Sequence, residues 1–200
     1  MKKLLLLVIA IFSLFSCGGD DPNPQIPPIV NAGSFKHNGI TYPVNRGYLI
    51  PVYGGNDPQK DYYKDRFYLG FSDGTITWGD NYFVVGDDVH QWIDFSLDTS
   101  TVNRGTVKDT SFTFATDDDL NPDAARISSA NIIYDIVAEN GQTVEYINHD
   151  ANTMSATGSL QLTRLGNGIY KINYEFVDDD GDTVTGSYIG TLTTLYYPWL

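Results

Sequence analysis

The chain is poor in cysteine, glutamate and basic side chains. Its 200 residues hold 1 Cys, and 12 Lys plus Arg against 25 Asp plus Glu. Only Glu139, Glu145 and Glu175 are Glu, so nearly all the acid is Asp. One thiol excludes a disulfide scaffold within the chain. A net charge of -13 excludes nucleic-acid binding through a basic face, because phosphate affinity needs clustered Lys and Arg. Long helix-suited segments are scarce, which excludes a helical bundle. No phosphate loop, dinucleotide fingerprint or Ser nucleophile elbow is present, and no repeat has a fixed period. His37, His90 and His149 share no zinc-type spacing. What the chain does have is 14 Tyr, 10 Phe, 19 Gly and 9 Pro. Aromatics favour strands, and Asp, Gly and Pro favour turns. An apolar fraction of 42% is enough for a core, so the whole chain is not disordered.

Met1, Lys2 and Lys3 open the chain with positive charge, and residues 4–15 are apolar except for Ser13. Twelve residues span roughly 18 Å as a helix, short of the ~30 Å hydrocarbon core. This predicts a signal h-region, not a transmembrane helix. Leu14-Phe15-Ser16-Cys17 follows at once and resembles the bacterial lipobox. The resemblance implies cleavage before Cys17, diacylation of its thiol and acylation of the new amine. Several acyl chains give stable anchoring. Gly18-Gly19-Asp20-Asp21 resembles the export signal of Bacteroidetes surface lipoproteins, and is also a solvated acidic linker. The expected address is therefore the outer membrane, by its acyl chains, with the body exposed at the cell surface. Removing residues 1–16 removes two Lys and takes the net charge from -13 to -15. Such a body is repelled by anionic head groups and stands off the membrane on its tether.

Residues 17–28 are that tether, rich in Pro, Gly and Asp. Residues 29–200 are expected to form one domain. Period-two alternation dominates it. Asn38-Gly39 marks a hairpin within residues 35–42. Further strands are read over 48–53, 66–71, 75–78, 82–85, 92–97, 110–115, 130–138, 143–147 and 156–165. Residues 117–126 read as a loop with a single helical turn after Pro122. Tyr170, Ile172, Tyr174 and Phe176 share one face of the last hairpin, and residues 178–182 turn it. Gly186 and Gly190 are expected to leave room for large aromatics of the facing strand. Roughly ten short strands predict an antiparallel β-sandwich, with a β-barrel-like closure as the alternative.

A wider resemblance rests on Gly39-Ile40-Thr41-Tyr42-Pro43-Val44 with Gly47-Tyr48-Leu49-Ile50. It also rests on Gly158-Ser159-Leu160-Gln161-Leu162, Gly168-Ile169-Tyr170-Lys171-Ile172, Asp180-Gly181 and residues 185–192. Together these resemble Bacteroidetes lipoproteins with all-β bodies. The resemblance implies a fold and an address and brings no site residues. Asp182-Thr183-Val184 resembles a short O-glycosylation motif of that group, which implies a sugar on Thr183. The domain start lacks the Gly-x-Trp of lipocalins, which argues against a ligand-holding calyx.

Three kinds of chemistry are weighed on the remaining residues. Asp117, Asp118, Asp119 and Asp123 form an oxygen-rich loop suited to Ca²⁺, although no cofactor is required. Residues 178–182 are acidic too, but Thr183 and Ile189 stand where an EF-hand needs Gly and Glu, so this run reads as a polar turn. Tyr62, Tyr63, Trp78 and Tyr82 lie near turns or strand ends and can stack on sugar faces, which makes carbohydrate the expected partner. Trp92 reads as core. A glycoside hydrolase would need two carboxylates ~5 to 9.5 Å apart across a cleft. Neither Asp87-Asp88-x-His90 nor His149-Asp150 supplies a nucleophile, so a non-catalytic binding or envelope-structural module is the favoured reading.

Overall fold

A computed structural model describes residues 31–52, 66–78, 83–98, 102–103, 106–115, 125–139, 142–152 and 156–195. These carry fifteen strands: β1 (Ala32–His37), β2 (Ile40–Val44), β3 (Arg46–Val52), β4 (Arg66–Ser72), β5 (Ile76–Trp78), β6 (Phe83–Val85), β7 (Gln91–Asp98), β8 (Val102–Asn103), β9 (Thr106–Val107), β10 (Thr110–Phe114), β11 (Arg126–Glu139), β12 (Gln142–Asn152), β13 (Thr157–Gly166), β14 (Ile169–Val177) and β15 (Thr183–Thr194). The fold is all-β, as the alternation predicts. The helical turn expected after Pro122 lies outside the described residues.

Of the two expected arrangements, the barrel forms. Its eight strands run in the order β14, β13, β10, β11, β7, β4, β3, β15, and β15 returns to pair with β14. Six of the eight contacts are antiparallel, whereas β10–β11 and β15–β3 are parallel. Closure follows from two long strands. Along one edge β15 holds β14; along the other it holds β1 at residues 185–189 and β3 at residues 192–194. In the same way β11 holds β7 on one edge, and both β10 and β12 on the other. A sandwich would need these strands to leave an edge open. The pairs β1–β2 and β11–β12 extend beyond the closed wall as ribbons.

An eight-stranded barrel is just wide enough for side chains to fill it. Phe35, Phe67, Phe71, Phe95, Phe112, Phe176 and Tyr188 are fully buried inside, each removing apolar area worth roughly 1.5 to 3 kcal/mol. The Phe71 and Tyr188 rings lie 4.9 Å apart, and Phe95 meets Tyr174 edge-on at 4.9 Å. The interior is therefore a packed core, not a calyx. Gly186 sits opposite Tyr174, and a Cβ there would fall within the Tyr174 ring, as the sequence suggests. Gly190 differs: its nearest neighbours are Asn31 and the Tyr188 hydroxyl. Asn38 and Gly39 take φ of 49° and 80°, the pair of positive angles that a type I′ hairpin turn requires.

One strand is buried on both faces. Ile93, Phe95 and Leu97 of β7 point into the barrel, while Trp92 and Asp98 are buried on its outside. A second apolar cluster, of Tyr48, Ile76, Val89, Trp92 and Ile136, accounts for the burial of Trp92. Trp92 is core, as expected, but in this outer cluster and not the barrel interior. Asp98 is 2% exposed and receives Arg66 Nε at 2.8 Å and Arg126 Nε at 3.0 Å.

Candidate functional site

Strand pairing sets two cross-strand rows on the outside of the barrel. One runs Ser72, Trp92, Ile133, Asn148; the next runs Gly70, Asp94, Asn131, Asp150. Gly70 is the reason the rows can pack. The Trp92 ring lies over it, and a Cβ at Gly70 would overlap that ring. Laid down this way, Trp92 Nε1 donates to Asp94 Oδ2 at 2.5 Å. Asn131 Nδ2 donates to Asp94 Oδ1 at 2.9 Å, and Asn148 Nδ2 to Asp150 Oδ1 at 2.9 Å.

Trp92, Ile133 and Asn148 of the first row and Asp94 and Asn131 of the second form the floor of a cleft of about 530 Å³. Its polar lining is Asp94, Asn131 and Asn148; its aromatic lining is Tyr68, Trp92 and Tyr146; Ile50, Ile76, Val85, Val89, Ile133 and Ile136 complete the walls. Tyr146 is 55% exposed and offers an open ring face, whereas Trp92, at 8%, is largely covered. A volume of this order suits a small ligand, and an apolar wall with a few convergent polar groups is the usual make-up of such sites.

Two local devices build the walls. The first is a bulge in β11. Asp135 takes φ of 53°, and the register with β12 slips between Tyr134 and Val137. Ile132 and Tyr134 face the barrel core, but the slip sends Ile136 outward, where it joins Ile133 and donates its N–H to His90 O at 3.0 Å. Bulges commonly re-aim side chains in this way. The second is the β5–β6 hairpin. Tyr48 Oη accepts from Ile76 N at 2.9 Å and donates to Gly74 O at 3.1 Å. Asp88 accepts from Thr75 N at 3.0 Å, and that backbone hydrogen bond holds its carboxyl below the usual carboxylate range.

Asp94 is the chemically distinctive group. The residue is half-buried, but its carboxyl is enclosed. Desolvation lifts its pKa from 3.8 to about 6, against the hydrogen bonds from Trp92 and Asn131, and the charge of Asp150 pushes upward too. An ionised Asp94 has acceptor capacity beyond its two protein donors. Among the described lining residues it is the single carboxylate.

The residues proposed from sequence fall elsewhere. Tyr62, Tyr63 and Tyr82 lie outside the described residues, as do Asp117, Asp118, Asp119, Asp123 and Cys17. Trp78 ends β5, paired with Phe83. His90 is exposed and bonds Asp73 at 3.1 Å, closing a loop. His149 pairs with Asp180 and Tyr134, not with its neighbour Asp150. Asp178, read as part of a polar turn, is 2% exposed; its Oδ1 accepts from the N–H groups of Asp180 and Asp182 at 3.1 and 2.8 Å, organising the turn from within. His37 and His149, unrelated by spacing, meet at 4.6 Å between ring centroids. The cleft residues come from β3, β4, β7, β11 and β12, the β5–β6 hairpin and the β6–β7 loop, and no linear motif joins them. The one readable signal was β7, whose Trp92-Ile93-Asp94-Phe95 places a Trp and an Asp together on the face opposite the core. The chain matches no family model, no curated protein and no solved structure.

Proposed function

We propose that this protein is a non-catalytic, lipid-anchored surface module that binds a saccharide in the cleft above Asp94. The observation that carries the reading is the convergence of Tyr68 and Tyr146 rings with the Asp94, Asn131 and Asn148 side chains in one cleft. Aromatic faces take the C–H face of a sugar ring, while carboxylate and carboxamide groups take its hydroxyls. The β7 and β11 rows fix those polar groups before any ligand arrives, so little ordering opposes binding. The anchor is supported by Lys2 and Lys3, the apolar residues 4–15 and the position of the single cysteine at Cys17. It holds the acidic body clear of the membrane, with the cleft free to meet extracellular glycan.

A glycan array probed with the full chain in detergent tests the binding. Tyr146→Ala and Asn131→Ala should each weaken it at least ten-fold, because each removes one kind of contact. Retained binding in both variants would move the site elsewhere. A calcium chelator added to the same array reports on the acidic loop at Asp117, Asp118, Asp119 and Asp123. Cys17→Ala should abolish incorporation of a labelled acyl-chain analogue into the precursor.

A further inference from the structure

A second polar cluster lies apart from the cleft, beneath the ribbons β1–β2 and β11–β12. His37, at the end of β1, is fully buried, and its Nε2 lies 3.0 Å from Asp178 Oδ2 and 4.0 Å from Asp182 Oδ2. His149 of β12 points the same way, because it pairs with Ile132 across the inward row of β11. One donor atom from each of His37, His149 and Asp178 lies within 4.8 Å of the other two. Among the described residues, the ion-pair partners of Asp178, Asp180 and Asp182 are these two imidazoles.

We propose that His37, His149 and Asp178 bind a divalent transition cation of the zinc class. Two imidazoles and one carboxylate are the donor set such ions favour, whereas Ca²⁺ takes oxygen alone. The outer contacts match too. His149 Nδ1 lies 3.0 Å from Asp180 Oδ2, so its N–H donates there and Nε2 carries the lone pair. This carboxylate–histidine arrangement orients the imidazole at metal sites generally. The Tyr134 hydroxyl lies 2.9 Å from His149 Nε2. A cation at Nε2 takes the place of that contact. The Tyr134 ring stacks on His149 at 19° and 5.6 Å, and on Tyr42 at 23° and 4.8 Å.

His37 is the most enclosed of the three side chains. Its Nδ1 is buried with no hydrogen-bond partner among the described residues. With Zn–N and Zn–O near 2.1 Å, tetrahedral donors stand roughly 3.4 Å apart. The His37–Asp178 pair opens by a few tenths of an ångström, and the widest pair closes by about an ångström and a half. His149, with a side chain 20% exposed on a ribbon, can make that rotation. Binding takes the place of the His37–Asp178 contact and sets a cation against the acidic turn.

The test uses the full chain in detergent, stripped by a chelator and then equilibrated with Zn²⁺ alone. Metal analysis should find about one Zn²⁺ per chain, and Co²⁺ in its place should show the visible bands of low-symmetry coordination. His149→Gln should abolish both signals while keeping the far-ultraviolet spectrum of a β protein. Asp180→Asn, an exposed turn residue, should weaken zinc affinity 10- to 100-fold, as loss of an outer partner does at metal sites. His90→Gln should change nothing. Zinc content no higher in the parent chain than in His149→Gln overturns the proposal, as does displacement of Zn²⁺ by equimolar Ca²⁺. If His149→Gln fails to fold, unchanged zinc affinity in Asp180→Asn overturns it.

Discussion

Replacing Asp94 with Asn should remove a specific part of the pH dependence of folding. The carboxyl titrates near 3.8 when solvated and at about 6 in the fold. At about 1.36 kcal/mol per pH unit, that difference is worth roughly 3 kcal/mol. The folded state holds the proton more tightly, so between these two pH values the native chain carries a proton that the unfolded chain has lost. Stability from this group is then fully present below about pH 4 and lost as pH rises through about pH 6. Asn does not titrate. It also presents an NH₂ to one of two donors, Trp92 Nε1 or Asn131 Nδ2, which destabilises by an amount that does not change with pH. The informative quantity is therefore the slope. Urea unfolding of both chains at intervals from about pH 4 to about pH 7 should show the stability difference, parent minus variant, falling by about 2 to 3 kcal/mol as pH rises. A difference flat to within about 0.5 kcal/mol would show that the carboxyl is not desolvated, and the enclosed cleft floor would go with it.

Gly70→Ala places a methyl group against the Trp92 ring, and the overpacking should destabilise by about 1 to 3 kcal/mol and shift Trp fluorescence; an unchanged emission spectrum would mean the ring does not lie there. Asp98→Ala strips the shared acceptor from Arg66 and Arg126 and should reduce unfolding free energy by about 2 to 4 kcal/mol, less than a fully buried pair because the Arg66 side chain is 46% exposed. Tyr174→Phe and Tyr188→Phe should differ in denaturation midpoint. The Tyr174 hydroxyl is buried without a partner among the described residues, so its removal should be neutral or stabilising, whereas Tyr188 Oη donates to Thr191 O at 2.8 Å and its loss should cost about 1 kcal/mol. Equal effects of the two would remove that distinction.

Local alternation made most strands readable, because period two is a property of consecutive residues. The hairpin at Asn38-Gly39, the β13–β14 turn at Gly166-Asn167-Gly168 and the last hairpin all follow from it. Closure did not, since it depends on which distant strand meets each edge of β11 and β15, and the parallel contacts at residues 126–127 and 192–194 are too short to mark the sequence. The outer cleft was hidden for a different reason. Its polar floor comes from β7, β11 and β12, each contributing one or two side chains on the face away from the core, and an Asn or Asp there reads as ordinary surface. The Asp135 bulge compounds this: by breaking alternation after Tyr134 it turns Ile136 outward, so an apolar wall appears where strict period two would place that residue inside. His37 and His149 illustrate the same limit, for metal spacing along a chain is informative only when one turn or hairpin carries the ligands. Here the ligands are brought together by the register of β1 on β15 and of β12 on β11, with the 178–182 turn tied to β12 by Asp179 N donating to Asp150 O at 3.0 Å. Both candidate sites therefore depend on the outer ribbons as much as on the barrel, and a change that frays β12 should weaken the saccharide cleft and the imidazole cluster together while leaving the barrel core folded.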